Sequence, residues 1–507
     1  MPCVKLLDMI EKRLLAENRK VLFFYGREYL SSEALERYRS VAAYLTERGI
    51  KPGDVVAVDL LNRPELLFIV FGSWLAGATV SPINVHLKSD EISYQLIDSG
   101  AKIIFAEASY KDRILTAVEK SGHKVLDVIL DFDSPVNSSE YHDVFYGKWA
   151  EIHDVPNPED LFIIYTSGTT GKPKGAVLTS ENVYREAIQL QHAVNIQSSD
   201  RMIIVLPLFH VNNLMFSISV ILKGGSIVIL RKFDVNEFFD QVKRYEPTMF
   251  SGVPTVYRML TDAFSPENRE MLKSLSVGIC GAAPMPVKWF QDFENAYGIN
   301  IVEGYGMTEG TVASTINPRY GIRKIGSIGI PFSGQDVRIF SDDDEELLPG
   351  EIGEIVIRGP NVMKGYLNRE SDSVETLRNG WLHTGDLGYM DNDGYFYIVD
   401  RKKDMIIRGG ENVYPKEVEN VISNIPDISE TAVVGKPDSV YGEEVVAFVV
   451  RKNQHLDENR IFEFCRKNMA WFKCPKEIIF VEELPKNSVG KVQKSELRKL
   501  LRERQTQ

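Results

Sequence analysis

The sequence has few cysteines, and none of them is spaced as a metal site or a redox pair requires. Four thiols occur in 507 residues, and no two of them form a Cys-x-x-Cys pair: Cys3, Cys280, Cys465 and Cys474. Isolated cysteines beside apolar residues are typical of proteins in a reducing compartment. We therefore expect reduced thiols and a cytoplasmic protein.

The sequence also lacks a secretion signal, an uninterrupted apolar run and an excess of positive charge. Its longest weakly polar stretch, 66–83, contains Gly72, Gly77 and Pro82, so a buried helix followed by a strand is favoured over a membrane span. Lys and Arg number 59 against 71 Asp and Glu, which gives a net charge of -12. We expect no nucleic-acid partner and no integral membrane segment, and the oligomeric state stays open.

Helical patterns alternate with short β-rich runs between residues 20 and 160. The β-rich runs cover residues 21–24, 55–59, 79–83, 102–106 and 125–130. Such alternation predicts an α/β fold with mainly parallel sheets. A chain of 507 residues is also too long for one ordinary core, so we expect more than one domain.

The second half of the sequence predicts a β-rich subdomain, a hinge and a small C-terminal domain. Strand-like runs flank an acidic turn within residues 327–358, and the charged run DRKKD interrupts the strands at 400–404. An exposed charged linker can absorb a domain rotation. We expect a large N-terminal domain over 1–400, a hinge at 401–404 and a mobile α+β domain over 405–507.

The stretch YTSGTTGKPKG at 165–175 carries the strongest chemical signal. An apolar run ends at a loop that combines three glycines, four hydroxyl side chains and two lysines. Backbone N-H groups, hydroxyls and ammonium groups in one small volume suit a polyphosphate. The loop differs from a Walker loop because Pro173 follows Lys172, and the alternative is a plain surface turn.

A second stretch, IVEGYGMTE at 301–309, offers further groups that a nucleotide needs. Tyr305 lies between two glycines and is followed by Thr308 and Glu309. An aromatic face can stack on a purine, a hydroxyl can reach a phosphate, and a carboxylate can hold Mg2+. The alternative is a tight turn with a solvated glutamate.

A third stretch, PKNSVGKVQK at 485–494, places Lys491 after a glycine near the C-terminus. A lysine in such a turn is usually only solvated, although the position could deliver a cation to a reacting centre. Taken together, the three stretches resemble the adenylate-forming superfamily of acyl-CoA and aryl-CoA synthetases, peptide-synthetase adenylation domains and luciferases.

The resemblance implies one site that serves two half-reactions. Lys491, Thr308 and Glu309 would be catalytic, with Mg2+ on Glu309. Lys403 would be the hinge pivot. The residues implied to bind ATP or AMP are Thr166, Ser167, Gly168, Thr169, Thr170, Gly171, Lys174, Gly281, Ala282, Ala283, Glu303, Gly304, Tyr305, Gly306, Met307, Asp386 and Arg401.

The same resemblance implies an acyl pocket and a channel for coenzyme A. Gly409 and Gly410 would line the channel through which the thiol arrives. The implied acyl-pocket residues are His210, Asn212, Asn213 and Gly252. Asn213 departs from the family, whose members often have glycine there, and its amide can bond a polar substrate.

The implied activity is that of an AMP-forming carboxylic acid-CoA ligase, with ATP, Mg2+ and coenzyme A. No carrier domain follows Gln507, from which we expect free coenzyme A as the acceptor. Several apolar residues suggest a fatty or other aliphatic acid: Met215, Phe216, Met249, Phe250 and Met307. The alternatives are an aryl or small polar acid, a stand-alone enzyme that loads a carrier protein, and a nucleotide-binding regulatory relative.

Overall fold

The computed structural model describes residues 6–133, 139–147, 158–166, 172–453, 455–486 and 492–505. Two compact units are formed: Met1–Val337 with Ile357–His383, and Arg338–Val356 with Thr384–Gln507. The mixed α/β fold, with parallel sheets, a β-rich part and a C-terminal α+β part, confirms the predicted fold class. The domain boundaries at residues 400 and 405 stay a prediction.

Sixteen helices and twenty-five strands occur within the described residues. The helices are α1 Leu6–Ala16, α2 Ser31–Glu47, α3 Pro64–Leu75, α4 Ser89–Ser99, α5 Lys111–Ser121, α6 Ser139–Tyr146, α7 Ser180–Ala193, α8 Val211–Lys223, α9 Val235–Tyr245, α10 Pro254–Asp262, α11 Pro266–Met271, α12 Val287–Tyr297, α13 Glu370–Thr376, α14 Pro415–Ile422, α15 Glu458–Asn468 and α16 Lys494–Gln505. The strands are β1 Lys20–Phe24, β2 Arg27–Leu30, β3 Val55–Asp59, β4 Thr79–Pro82, β5 Ile103–Glu107, β6 Leu126–Leu130, β7 Asp160–Thr166, β8 Lys174–Thr179, β9 Arg201–Ile204, β10 Ser226–Ile229, β11 Met249–Gly252, β12 Val277–Cys280, β13 Asn300–Tyr305, β14 Thr315–Ile316, β15 Ile330–Pro331, β16 Asp336–Phe340, β17 Gly353–Arg358, β18 Gly365–Tyr366, β19 Leu382–Met390, β20 Phe396–Arg401, β21 Ile406–Arg408, β22 Glu411–Val413, β23 Ile428–Asp438, β24 Gly442–Arg451 and β25 Glu477–Val481.

The first unit contains a nine-stranded sheet in the order β15-β14-β13-β12-β11-β9-β10-β1-β2. Its six central strands, from β13 to β1, run parallel. Because parallel strands end at one edge, the loops after β9, β11, β12 and β13 lie at the same side of the sheet. Those loops carry the predicted acyl and nucleotide residues.

A seven-stranded sheet, β18-β8-β7-β4-β3-β5-β6, completes the first unit. Five strands from β7 to β6 are parallel, and β8 turns back antiparallel to β7. The weakly polar stretch at 66–83 forms the buried helix α3 and then β4, as predicted. In the described part of the chain, no helix is long and apolar enough to cross a membrane.

The second unit contains almost all of a four-stranded sheet, β16-β17-β19-β20, and a five-stranded sheet. In the latter, β22-β21-β24-β23 are consecutive, and β25 pairs in parallel with β24. Apolar residues of α14 and α15 cover this sheet, with Val418 and Ile461 fully buried. Its hydrophobic core holds the small α+β fold together.

Candidate active site

The strand pair β7 and β8 frames the predicted phosphate loop. Thr166 at the end of β7 pairs with Lys174 at the start of β8. A Cβ on the neighbouring Gly175 would lie 2.8 Å from Ile163 Cγ2, so a side chain there would push the strands apart. Six predicted site residues lie outside the part of the chain that the structure describes: Ser167, Gly168, Thr169, Thr170, Gly171 and Lys491.

Lys174 is held by two residues from a distant part of the sequence. Its Nζ atom lies 2.7 Å from Asp372 Oδ1 and 5.2 Å from the centre of the Tyr366 ring. The ion pair and the cation-π contact keep the ammonium group at the start of β8. A positive charge is thus fixed at one end of the predicted phosphate loop.

Glu309 lies on a short 3-10 turn after β13, and its side chain is buried. The Tyr366 hydroxyl donates a hydrogen bond to Glu309 Oε1 at 2.7 Å. Burial, reinforced by the Glu309 charge, holds the pKa of Tyr366 well above its ordinary value, so the phenol keeps its proton. Tyr366 therefore joins Lys174 and Glu309 in one local cluster.

The Glu309 carboxylate fits a Mg2+ ion carried by a nucleotide. Its Oε2 receives no hydrogen bond from the residues that the structure describes. Those residues also contain no group of three or more His, Cys, Asp or Glu that could hold a metal by themselves. Mg2+ commonly takes one or two protein carboxylates and completes its shell with phosphate oxygens and water.

The two loops that are predicted to contact the nucleotide each have one sterically restricted position. Residues 281–283 follow β12, and Ala282 has a left-handed φ of 66°, which costs a non-glycine residue about 1–3 kcal/mol. Residues 303–307 end β13, and a Cβ on Gly306 would lie 2.1 Å from the Val312 carbonyl oxygen. Strain of this kind is concentrated where a backbone must approach a ligand.

His210 occupies the N-cap position of α8 without a side-chain cap hydrogen bond, and its imidazole is neutral. Burial, with a smaller effect of the neighbouring His86, lowers the pKa of His210 to about 4. Its ring lies 4.5 Å from the Phe209 ring, and its Nε2 is buried without a hydrogen bond from the described residues. The predicted acyl pocket therefore carries no charge at this position.

Asn212 and Asn213, in the first turn of α8, have different partners. Ser251 Oγ donates to Asn212 Oδ1 at 2.9 Å, and Asn213 Nδ2 donates to the Leu206 carbonyl at 3.0 Å. Gly252 follows Ser251 at the end of β11, where it pairs with Cys280 of β12. The Ser251 hydrogen bond connects the end of β11 to the first turn of α8.

Asp386, Arg401 and Lys403 belong to the second unit. Arg401 Nε lies 3.1 Å from Asp386 Oδ1, and the two residues pair across β19 and β20. Lys403 lies on the 3-10 turn Lys402–Asp404, and burial lowers its pKa. The predicted ribose residues are thus neighbours of each other and of the predicted hinge.

Gly409 and Gly410 form the two-residue turn between β21 and β22. Their φ angles are 62° and 87°, so the turn is of the type that needs two left-handed residues. Arg408 lies beside this turn, 5.5 Å from the ring centres of both Tyr441 and Trp471. The Trp471 side chain is 69% exposed, which leaves an aromatic surface next to the glycines.

Two family models cover most of the sequence. The model described as AMP-binding enzyme matches residues 13–367, and the model of the AMP-binding enzyme C-terminal domain matches residues 417–491. The chain belongs to the AMP-binding enzyme family. This confirms the resemblance seen in the three motifs.

Relatives of this AMP-binding enzyme have several different names. A long-chain-fatty-acid-CoA ligase of Bacillus subtilis is 36% identical, with 97% of this chain and 92% of the relative covered. A feruloyl-CoA synthase of Amycolatopsis is 36% identical, with 94% of both chains covered. A 2-succinylbenzoate-CoA ligase of B. subtilis is 30% identical, with 97% of both covered.

Solved structures of related ligases have the same fold. ATP-bound MatB from Rhodopseudomonas palustris has a TM-score of 0.90 at 33% identity, with 97% of this chain and 98% of that chain covered. The o-succinylbenzoate CoA synthetase from B. subtilis, in complex with its acyl-adenylate, has a TM-score of 0.85 at 30% identity, with 97% and 98% covered. Our AMP-binding enzyme is an AMP-forming acid-thiol ligase that uses ATP and coenzyme A as substrates and works through an adenylate.

The sequence analysis of this AMP-binding enzyme missed Tyr366 and Asp372. Both lie about 200 residues after Lys174, in β18 and α13, and no short motif connects them to it. They reach Lys174 because β18 pairs with β8 at the edge of the seven-stranded sheet. Only this pairing could have identified them.

Arg113 was also missed, although it organises a loop near His210. It donates to Asp59 Oδ1 and Oδ2 at 2.8 and 2.9 Å, to the Leu87 carbonyl at 3.0 Å and to the Val85 carbonyl. Asp59 ends β3, so the bidentate pair ties the loop to the sheet. The loop between Val85 and Leu87 carries His86, the neighbour that affects the pKa of His210.

The apolar residues that suggested an aliphatic acid lie mostly in hydrophobic cores. Met215, Phe216 and Met249 are buried in one core cluster and Phe250 in another. Met307 is partly buried after β13. Burial in a core is sufficient to explain the first four side chains, so they carry little information about the acid.

Proposed function

We propose that this AMP-binding enzyme joins an aliphatic carboxylic acid to coenzyme A, with Mg2+ bound to the nucleotide through Glu309. The observation that carries the metal assignment is the buried Glu309 carboxylate, oriented by Tyr366 within reach of the Lys174 cluster. The acid, the metal and the residue roles below are parts of this proposal.

Adenylation joins two anions, so their repulsion is the barrier that the protein must offset. An oxygen of the substrate carboxylate attacks the α-phosphorus of ATP, and diphosphate leaves. We propose that Lys491 stabilises the negative charge that develops in this step, and that Thr308 and Lys174 contact the phosphates. Bound Mg2+ would neutralise phosphate charge, and Glu309 would hold it.

We assign a separate group of residues to each part of the nucleoside. We assign the purine to Tyr305 with residues 281–283, whose strained backbone supports a close approach. Asp386 would accept hydrogen bonds from the ribose hydroxyls, since it lies on β19 with Arg401 as its ion-pair partner. Neutral His210, with Asn212, Asn213 and Gly252, would surround the acyl group.

Thioester formation would follow a rotation about Lys403. The thiol of coenzyme A attacks the acyl carbon, and AMP leaves with the electrons of the broken bond. Gly409 and Gly410 leave room for a narrow pantetheine chain, and exposed Trp471 with the neighbouring Tyr441 suits a flat base. This surface supports free coenzyme A over a carrier protein, which remains the alternative acceptor.

The relatives' names favour different acids at similar identity. Long-chain fatty acid and feruloyl relatives are both 36% identical to this chain. An uncharged pocket wall around His210 supports an acid without a second charge, and we propose an aliphatic one. An aryl or small polar acid is the second candidate, supported by the feruloyl and oxalate relatives.

The test measures AMP and acyl-thioester formation from ATP, Mg2+ and coenzyme A. Aliphatic acids of graded length, aryl acids and small dicarboxylic acids form the panel, and Lys491→Ala is the control. We expect thioester from aliphatic acids and a loss of adenylation of about 10²–10³-fold in the variant. Adenylate without thioester would instead indicate a carrier protein as the acceptor.

A further inference from the structure

Thr311 has a backbone conformation that a β-branched residue rarely adopts. It follows the turn Thr308–Gly310, and its φ and ψ angles are 68° and -40°. The Val312 N-H donates to the Gly310 carbonyl at 2.9 Å, so the three residues 310–312 form a γ-turn of the rare, strained kind. Thr311 is 0% exposed. Such strain persists only where the surrounding contacts hold it.

Asn361 provides these contacts from a distant part of the sequence. The Thr311 hydroxyl donates to the Asn361 carbonyl, and Asn361 Nδ2 donates to the Gly310 carbonyl at 3.0 Å. Asn361 is also 0% exposed, so water does not compete for either bond. The side chain and the backbone of this one residue therefore hold two consecutive residues of the γ-turn.

The γ-turn belongs to the loop that carries Glu309. The Met363 N-H donates to the Glu309 carbonyl at 2.8 Å. Beyond the γ-turn the chain folds back, and the Ser314 N-H donates to the Tyr305 carbonyl at 2.8 Å, which closes the loop 306–313 at its base. If the γ-turn relaxed to ordinary backbone angles, this loop would change direction and Glu309 would move with it.

We propose that Thr311 and Asn361 are positioning residues for adenylation. Their hydrogen bonds maintain the strained γ-turn and so hold the Glu309 carboxylate where it can bind the Mg2+ ion of the nucleotide. This inference rests on the proposed function, because that function assigns Mg2+ to Glu309. Tyr366 bonds to the carboxylate itself, whereas Thr311 and Asn361 act on the backbone that carries it.

Three substitutions of Thr311 separate the hydroxyl group from the strain. Thr311→Ser keeps the hydroxyl and should behave like the wild type. Thr311→Val keeps the shape but loses the hydroxyl, so the γ-turn should relax. Thr311→Gly also loses the hydroxyl, but glycine adopts a φ of 68° without strain, so the Asn361 Nδ2 bond should suffice. Valine should therefore impair the enzyme more than glycine, although its shape is closer to that of threonine.

The first readout is the Mg2+ concentration for half-maximal adenylation, followed by acid-dependent diphosphate release. We expect it to rise about tenfold in Thr311→Val and in Asn361→Ala, and to stay within about threefold of the wild type in Thr311→Gly. KM for the acid should change little. The second readout needs no nucleotide. Hydrogen exchange at the Thr311 and Met363 amides, which donate to carbonyls of the turn Thr308–Gly310, should be faster in Thr311→Val and in Asn361→Ala.

Thr79→Val is the matched control. Thr79 is 5% exposed, and its hydroxyl donates to the Asp160 carbonyl at 2.7 Å, so this substitution also removes one buried hydroxyl bond. Thr79 begins β4 of the seven-stranded sheet, whereas Glu309 follows β13 of the nine-stranded sheet. Thr79→Val should lower the stability to urea and leave the Mg2+ titration unchanged. An equal shift of the titration in this control would indicate general destabilisation and overturn the inference.

The remaining outcomes separate this inference from the proposed function, with Glu309→Gln as the reference variant. If Glu309→Gln shifts the Mg2+ titration while Thr311→Val and Asn361→Ala do not, only the positioning role is wrong. Glycine as harmful as valine at position 311 would also overturn it. If Glu309→Gln itself titrates like the wild type, the metal assignment in the proposed function fails, and the positioning role fails with it.

Discussion

Replacing Glu186 by glutamine should stabilise the protein at neutral and alkaline pH. Glu186 lies in α7 and is 0% exposed. Its carboxyl oxygens accept hydrogen bonds from the Ala313 N-H at 3.0 Å and from Gln335 Nε2 at 3.1 Å. Burial raises the pKa of Glu186 well above its ordinary value of 4.5, and the two hydrogen bonds offset this only in part.

The sign of the pH dependence follows from proton binding. With a raised pKa, folded Glu186 holds its proton at pH values where the unfolded chain has released it. The free energy of unfolding then falls as the pH rises above 4.5, by about 1.4 kcal/mol per pH unit until the folded pKa is reached. Below pH 4.5 the stabilisation is fully present.

Glutamine has nearly the same shape and cannot ionise. It keeps an acceptor for Ala313, whereas its amide NH2 would face Gln335 Nε2 and lose that hydrogen bond at every pH, which shifts the stability by a constant amount. The difference in unfolding free energy between Glu186→Gln and wild type should therefore grow with pH. Glu186→Ala should instead be less stable throughout, because Ala313 loses its acceptor.

The assay is urea unfolding of all three proteins between pH 5 and 8, with hydrogen exchange at the Ala313 amide as a local measure. We expect stability curves of wild type and Glu186→Gln that diverge as the pH rises, and unchanged exchange protection at pH 5. Parallel curves across this range would refute the inference that Glu186 keeps its proton in the folded protein.

Three other predictions concern the active site. Tyr366→Phe should raise the Mg2+ concentration for half-maximal adenylation about tenfold, since Glu309 loses its orienting donor; an unchanged Mg2+ titration would contradict this. Lys403→Pro should slow thioester formation roughly tenfold more than adenylation, because proline restricts the hinge backbone. Stopped-flow measurement of the two rates tests this, and equal losses in both rates would contradict the hinge role of Lys403. Trp471→Ala should raise KM for coenzyme A about fivefold, because roughly 1 kcal/mol of aromatic contact is lost, and it should leave ATP-diphosphate exchange unchanged. An equal effect on this exchange would show that Trp471 does not act in coenzyme A binding.

The alternation of helical and β-rich runs was enough to predict the fold class. The motifs were enough to predict the family, because the residues of each motif are close together in sequence. The loop at 165–175 and the stretch at 301–309 each combine glycines with polar groups in about ten residues. Tyr366 and Glu186 could not be found in this way. Their roles depend on strand pairing and on burial, which join residues more than 50 positions apart.

The proposed acyl pocket was the least predictable part of the site. Apolar residues near His210 have the same composition whether they line a pocket or fill a core, and Met215 and Phe216 are buried in the core. The polar residues were more informative, because a buried amide such as that of Asn213 is expected to have hydrogen-bond partners. Sequence alone cannot show which of its two amide ends is already satisfied.

The turn at Gly409 and Gly410, which we propose lines the channel for the thiol, would limit how this enzyme could be adapted to another thiol. Both residues have left-handed backbone angles, and a Cβ on Gly409 would come within 3.2 Å of the Tyr441 ring. Almost any replacement there would strain the hairpin itself. Variation that alters the acceptor is therefore best directed at Tyr441 and Trp471, whose side chains can change in size and polarity while the turn keeps its shape.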